Sequence, residues 1–134
     1  MKFLEFLSDN DLASLLLRIS IGSMFILHGL GKPLVVGMEA VIPGFVEQGF
    51  PVWTAYASTA VEITGGTMLL IGYYARLASL TLIPVSVGIL VYHFSNGWVF
   101  HNLGGGWEYA QLILISLVVI LLLGTGKYGI RKSL

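Results

Sequence analysis

Four stretches of this chain are each about twenty residues long and almost free of charge: 12–31, 53–72, 76–94 and 107–124. A helix that crosses the hydrocarbon core of a bilayer needs about 20 mostly apolar residues. Closed barrels also span membranes, but they read as alternating segments of about ten residues, and nothing here alternates in that way. Composition agrees with the helical reading. Of 134 residues, 56% are hydrophobic and 10% charged, where a soluble domain carries about 25% charged residues. A soluble domain of this size could not hide so much apolar surface. The expectation is one all-α domain over 1–134, an integral membrane four-helix bundle. Asp9, Asn10 or Asp11 caps the first helix, and Gly124 and Gly126 stop the last.

The composition also excludes several classes. The formal net charge is zero and no long basic run occurs, so nucleic acid is not an expected partner. With no cysteine, there is no disulfide framework, no cysteine-held iron–sulfur cluster and no thiol–disulfide relay. The opening MKFLEFLSDNDLAS has acids where a cleaved signal peptide carries a basic region and an apolar core.

Basic residues near helix ends set orientation. Lys2, Arg76, Lys127, Arg131 and Lys132 fall on one side and Lys32 on the other, which places both termini in the cytoplasm. Trp53, Tyr73, Tyr74, Trp98, Trp107 and Tyr128 stand where interfacial aromatic belts are expected. The connection 32–52 is long for a helical hairpin and mixes apolar residues with Glu39 and Glu47. It reads as a short interfacial helix or re-entrant lid, with an irregular loop as the alternative. Pro84 should kink the third span.

Charge at membrane depth is costly and faces the bundle interior, where it finds partners. Arg18 and Glu62 are the clear cases. Counted from the centres of their spans, they differ in depth by ~6 Å, so a buried Arg18–Glu62 ion pair is the plain structural reading. A snorkelling Arg18 beside a neutral Glu62, or a ligand or proton role for Glu62, stays open. Arg18, Gly22, Phe25, Gly29 and Lys32 share one helical face, and Ser58, Glu62, Gly65 and Gly66 another. Small residues let helices approach closely, so the first two spans should pack through these faces.

The outer end is richer. His28 and Lys32 close the first span, His93 and Asn96 the third, His101 sits in the following loop, and Glu108 and Gln111 open the fourth. With Glu62 as floor, these eight residues could form one polar pocket. His28, His93, His101 and Glu108 could hold a first-row metal, although their spacing matches no metal signature. Haem between His28 and His93 is a further option. A quinone headgroup fits better: it needs an apolar slot, hydrogen-bond donors and a proton path. GGG at 104–106 is a turn and not a phosphate loop, because no GK[ST] follows.

RISIGSMFILHGLGK resembles the first-helix signature of the DoxX family, an arginine and a glycine-rich run ending in H-G-x-x-K. EITGGTMLLIGYYARLAS resembles the family's second hairpin, and HFSNGW and GGGWEYA resemble the end of its third helix and the start of its fourth. The resemblance runs from about residue 15 to 126, at Arg18, His28, Gly29, Lys32, Glu62, Gly65, Gly66, Arg76, His93, Asn96, Gly97 and Glu108. It implies a multi-pass protein of the bacterial or archaeal cytoplasmic (inner) membrane. Some members of the family look like subunits of quinone-linked oxidoreductases. No catalytic set carries over.

Two functions follow as expectations. One is a membrane subunit of a redox, quinone-linked system, served by a soluble redox partner protein. The other is non-enzymatic: a small-molecule or ion carrier, or a scaffold holding a soluble partner at the membrane. Ala, Gly and Ser positions offer faces for a homodimer. Whether the chain itself catalyses anything stays open.

Overall fold

The structure is a computed structural model that describes residues 9–130. Lys2, Arg131 and Lys132, three of the residues used for orientation, lie outside that range, as does most of the N-terminal segment read for a signal peptide. Among the described residues there are five α-helices and no strand: α1 Asn10–Gly31, α2 Met38–Glu47, α3 Trp53–Ile71, α4 Ala75–Phe94 and α5 Glu108–Leu123. Helix α1 packs on α3, α3 on α4, α4 on α5 and α5 back on α1, while α2 lies outside that ring against α3.

Local chemistry sets the ends. Asp9 is the N-cap of α1, its side chain accepting from the Asp11 and Leu12 N–H groups at 2.9 and 3.1 Å, so the helix starts two residues before the expected Leu12. After α1 comes a π-helical turn, Lys32–Val36. Pro33 has no N–H to continue the α ladder, and the Gly37 N–H closes back onto the Lys32 carbonyl at 2.8 Å. Gly37 then turns the chain with φ +86°, a conformation glycine adopts without penalty, and α2 begins. The connection 32–52 thus contains a ten-residue helix. Helix α4 runs through Pro84 without interruption.

Two helical runs, Asn10–Val36 and Ala75–Phe94, are long and apolar enough to cross a membrane. The other two expected spans are weaker by this measure. Helix α3 is diluted by Thr, Ser, Gly and Glu62, and α5 has 16 residues, about 24 Å of helix against a hydrocarbon core of about 30 Å.

The glycine seam between α1 and α3 fixes their register. A methyl group on Gly22 would lie 2.7 Å from the Gly66 carbonyl, and one on Gly66 would lie 2.8 Å from the Gly22 carbonyl. Farther along, Gly29 sits on Glu62 and Ile63. The two helices therefore meet through the small faces read from the sequence. Between α3 and α4, Gly65 packs on Leu82. Inside the ring, Ile21, Phe25, Leu69, Leu82, Ile113, Leu117 and Ile120 make one apolar core. Polar groups are enclosed with them, including Ser14, Arg18, Thr59, Glu62, Ser79 and Ser86. Large apolar side chains such as Leu27, Leu80, Val91, Leu112 and Leu122 point outward.

Candidate functional site

The site begins with the α1–α3 register. Glu62 is enclosed beside Gly29, one turn before Lys32. Helical side chains lean toward their own N-terminus, so Lys32 reaches back to Glu62. Its Nζ donates to Glu62 Oε1 at 2.8 Å, with the lysine side chain 13% exposed and the glutamate side chain 1%. Glu62 Oε2 is buried and has no hydrogen-bond partner. His28 Nδ1 stands 3.6 Å from it, too far for a hydrogen bond but within ion-pair range of a protonated imidazole.

The same leaning overturns the expected Arg18–Glu62 pair. Arg18 reaches toward the start of α1, away from Glu62, and its Nη1 donates to the Leu69 carbonyl at 3.0 Å in the last turns of α3. A methyl group at Gly72 would lie 2.5 Å from that nitrogen, and Gly72 carries φ +69°. The guanidinium thus stands at the level of Gly72, ten residues and about 15 Å along α3 from Glu62. Counting depth from span centres missed this because the glycine seam offsets the two helices. A cation at a helix C-terminus complements the dipole and the free carbonyls there. Arg76 acts similarly on α5, its Nε donating to the Leu121 carbonyl at 3.2 Å.

Above the Lys32–Glu62 pair lies a cavity of about 600 Å³. Helix α2 covers it with Ala40, Val41, Gly44, Phe45 and Gln48; α3 contributes Trp53, Ala57, Ser58, Val61 and Glu62; α4 contributes Pro84, Val85, Gly88, Ile89, Tyr92 and His93. His28 and Lys32 complete the polar end, and the rest is mostly apolar. Lys32 Nζ also sits 5.8 Å from the centroid of the Phe45 ring, which ties α2 to the ion pair.

Of the eight expected pocket residues, His28, Lys32, Glu62 and His93 line this cavity. The other four do not, and two of them, Asn96 and Glu108, are held by the backbone of the 95–107 loop. The side-chain amide of Asn96 donates to the Gly104 and Gly105 carbonyls, both at 3.0 Å, and that of Asn102 donates to the Asn96 carbonyl at 2.8 Å. Glu108 Oε1 accepts from the Phe100 N–H at 3.2 Å. His101 is exposed and packs edge-on against the Phe100 ring. Gln111 is half-buried on the first turn of α5.

His93 is also committed. Its Nδ1 is 3.0 Å from both the Gly104 and Gly105 carbonyls. Carbonyls only accept, so Nδ1 carries a hydrogen, and in the neutral ring Nε2 then accepts from the Tyr109 hydroxyl, 3.1 Å away. Haem held between His28 and His93 does not fit this arrangement, since neither His93 nitrogen is left for iron. Nor do His28, His93, His101 and Glu108 converge: no group of three His, Cys, Asp or Glu among the described residues could hold a metal ion.

The 32–52 connection, expected as a short interfacial helix or re-entrant lid, holds a helix that lines the cavity, but its lining residues were not among the expected pocket residues. Ala40, Val41, Gly44, Phe45 and Gln48 recur at helical spacing and mark one face of α2, the signal that could have assigned α2 to the cavity.

Residues 13–102, two thirds of the chain, match the DoxX family. This chain belongs to the DoxX family. The matched segment holds Arg18, His28, Lys32, Glu62, His93, Asn96 and His101, and ends before Glu108 and Gln111. A Bacillus subtilis (strain 168) protein named "Putative oxidoreductase CatD" is 32% identical over 81 residues, covering 60% of this chain and 59% of that protein. The chain therefore spans about six-tenths of the length of that relative. No solved structure matches the chain.

Proposed function

We propose that this DoxX protein is a multi-pass subunit of a quinone-linked redox system in a prokaryotic inner membrane, and that the cavity beneath α2 is its ligand site. The observation that carries the reading is an unpartnered carboxylate oxygen, Glu62 Oε2, on the floor of a mostly apolar cavity of about 600 Å³. Pockets for small organic ligands combine apolar walls with a few placed polar groups, and a charged pair kept inside a membrane protein is a functional pointer.

Several features support the membrane setting. Enclosed Arg18, Glu62 and serines contrast with outward Leu27, Leu80, Val91, Leu112 and Leu122, the arrangement lipid favours and water does not. In the proposed topology α1, α3, α4 and α5 span the bilayer with both termini cytoplasmic, and α2 lies in the outer interface. Exposed Leu34, Val35, Val36 and Trp53 beside α2 suit such a position. The relative named as an oxidoreductase supports a redox role.

When bound, a quinone would supply two-electron, two-proton redox chemistry. The chain's own groups would seat it: Lys32 donates to an oxygen, Glu62 accepts or holds a proton at Oε2, and α2 limits water. With no cysteine in the sequence, no thiol relay brings electrons to the site. A soluble redox partner is therefore part of the proposal, and a homodimer is compatible with it.

The test is to purify the full chain in native lipid discs, extract bound lipids and identify quinones by mass spectrometry. Enrichment of quinone over the surrounding membrane, lost in Glu62→Gln, supports the reading. Absence of enrichment favours the carrier or scaffold alternative.

A further inference from the structure

The cavity does more than accept an apolar ring, and its asymmetry selects one chemical form of ligand. Resting on the quinone-linked reading above, we infer that the site binds the reduced, hydroxyl-bearing form of a tailed amphiphile in preference to the oxidised, carbonyl-bearing form.

Glu62 Oε1 accepts from Lys32 Nζ at 2.8 Å, and the glutamate side chain is 1% exposed. Oε2 has no partner, and His28 Nδ1 at 3.6 Å does not supply one. A carboxylate paired with an ammonium only accepts, so the group that completes this site must be a donor. His93 cannot be that donor, because Nδ1 is used on the Gly104 and Gly105 carbonyls and Nε2 accepts from Tyr109.

A hydroxyl suits both members of the ion pair. It donates to Oε2 and accepts from one of the remaining Lys32 N–H groups. A carbonyl oxygen can take the Lys32 hydrogen but leaves Oε2 buried and unpaired. A site built to bond a hydroxyl discriminates against the analogue that lacks it, because its own buried group is then orphaned.

The walls specify the rest of the ligand. On α4 the lining runs from His93 and Tyr92 to Thr81, about 18 Å along the helix. Thr81 and Pro84, at the far end, are exposed on the outside of the ring. The cavity is thus a groove between α3 and α4; Gly65 packs on Leu82, so the Glu62 carboxylate lies within about one to two turns of the exposed Thr81 and Pro84. Such a shape takes a ring with its hydroxyl on the Lys32–Glu62 pair and an alkyl or isoprenoid tail that leaves between α3 and α4 past Pro84 and Thr81.

The test uses the full chain in lipid nanodiscs with four probes: a decyl-substituted benzohydroquinone, the matching benzoquinone, the hydroquinone's dimethyl ether, and the hydroquinone without its tail. Binding is read by calorimetry under nitrogen. The hydroquinone should bind at least about tenfold more tightly than the quinone and the ether. Removal of the tail should weaken it further, and Glu62→Gln should cut the preference to about threefold or less. Gly88→Leu, which adds bulk to the cavity wall, should weaken the decyl hydroquinone. Equal binding of hydroquinone, quinone and ether, or tighter binding of the quinone, overturns this inference and leaves the quinone-site reading standing. Failure of all four probes to bind overturns both. The comparison of probes on the unaltered protein needs no variant to fold.

Discussion

Arg18 and Glu62 are the two fully enclosed charges of this protein's described residues, and they have opposite surroundings. Arg18 lies where the chain closes on itself. Ser14 donates to the Gly124 carbonyl at 2.6 Å, the Ala75 N–H donates to Thr125 Oγ1 at 3.2 Å, and the Lys127 N–H donates to Asp11 Oδ1 at 3.0 Å. Arg18 adds its own bond to Leu69, leaves Nε and Nη2 without partners, and lines neither the Glu62 cavity nor the smaller one at Gly124–Lys127. Glu62 has one cation, one open oxygen and the cavity. A buried charge is thus no guide to function by itself. What separates these two is whether the space next to the charge is filled by the protein or left for something else.

The largest expected effect comes from breaking the pair at the cavity. Lys32→Met leaves the Glu62 carboxylate enclosed without a cation and should cost about 3–5 kcal/mol of stability. Lys32→Met combined with Glu62→Gln should recover most of that loss, as read from thermal denaturation in nanodiscs. If the double variant is no more stable than Lys32→Met alone, the two side chains are not coupled.

Gly66→Leu comes next. It drives a side chain into the Gly22 backbone and should cost about 1–3 kcal/mol. Because the seam sets the level of both Lys32 and Glu62, ligand binding should fall with it. A variant with unchanged melting would mean that α1 and α3 do not meet there.

Glu62→Gln alone should weaken hydroquinone binding about tenfold, or about 1.4 kcal/mol, with little loss of fold, since Lys32 can swing its head toward solvent. Arg18→Met should give the reverse. One charged hydrogen bond is lost, but two nitrogens without partners, Nε and Nη2, go with it. The net cost should be about 1 kcal/mol, with ligand affinity unchanged.

The smallest effect is electrostatic and lies at the Arg18 end. The hydrogen bond from Lys127 holds the Asp9 carboxyl below its ordinary range, helped by the Leu12 N–H, and the same bond to Asp9 raises the Lys127 ammonium. The depressed Asp9 adds stability above its ordinary titration range, and that share fades as pH falls through its folded value. The raised Lys127 adds stability below its ordinary range, and that share fades as pH rises through its folded value. Melting should be flat between these limits, and Asp9→Ala should flatten both edges slightly. An unchanged acid edge would mean that the pair adds nothing measurable.

These particulars also show what could be read in advance. Long apolar stretches at 12–31 and 76–94 named the helices, and small residues at Gly22, Gly29 and Gly66 named the seam, because periodicity encodes which face a helix hides. The partner of Glu62 was not legible from depth alone. A shift of a few residues between helices, with side chains leaning one way along each, moved Arg18 out of reach and brought Lys32 in. The loop at 93–111 misled for a related reason. Its His93, Asn96 and Glu108 look like a site in composition, yet they bond to the backbone of their own loop, and only spatial contact tells these uses apart. The 32–52 segment was legible as a short helix or lid, but which of its residues face the cavity was not, because that face carries no charge.

The most direct measurement is a side-by-side titration of the decyl hydroquinone into Arg18→Met, Glu62→Gln and the unaltered chain, each in nanodiscs and each checked for fold. The account predicts that Arg18→Met binds as the unaltered chain does and that Glu62→Gln binds about tenfold more weakly. Equal loss in both variants, or loss in Arg18→Met alone, would contradict it.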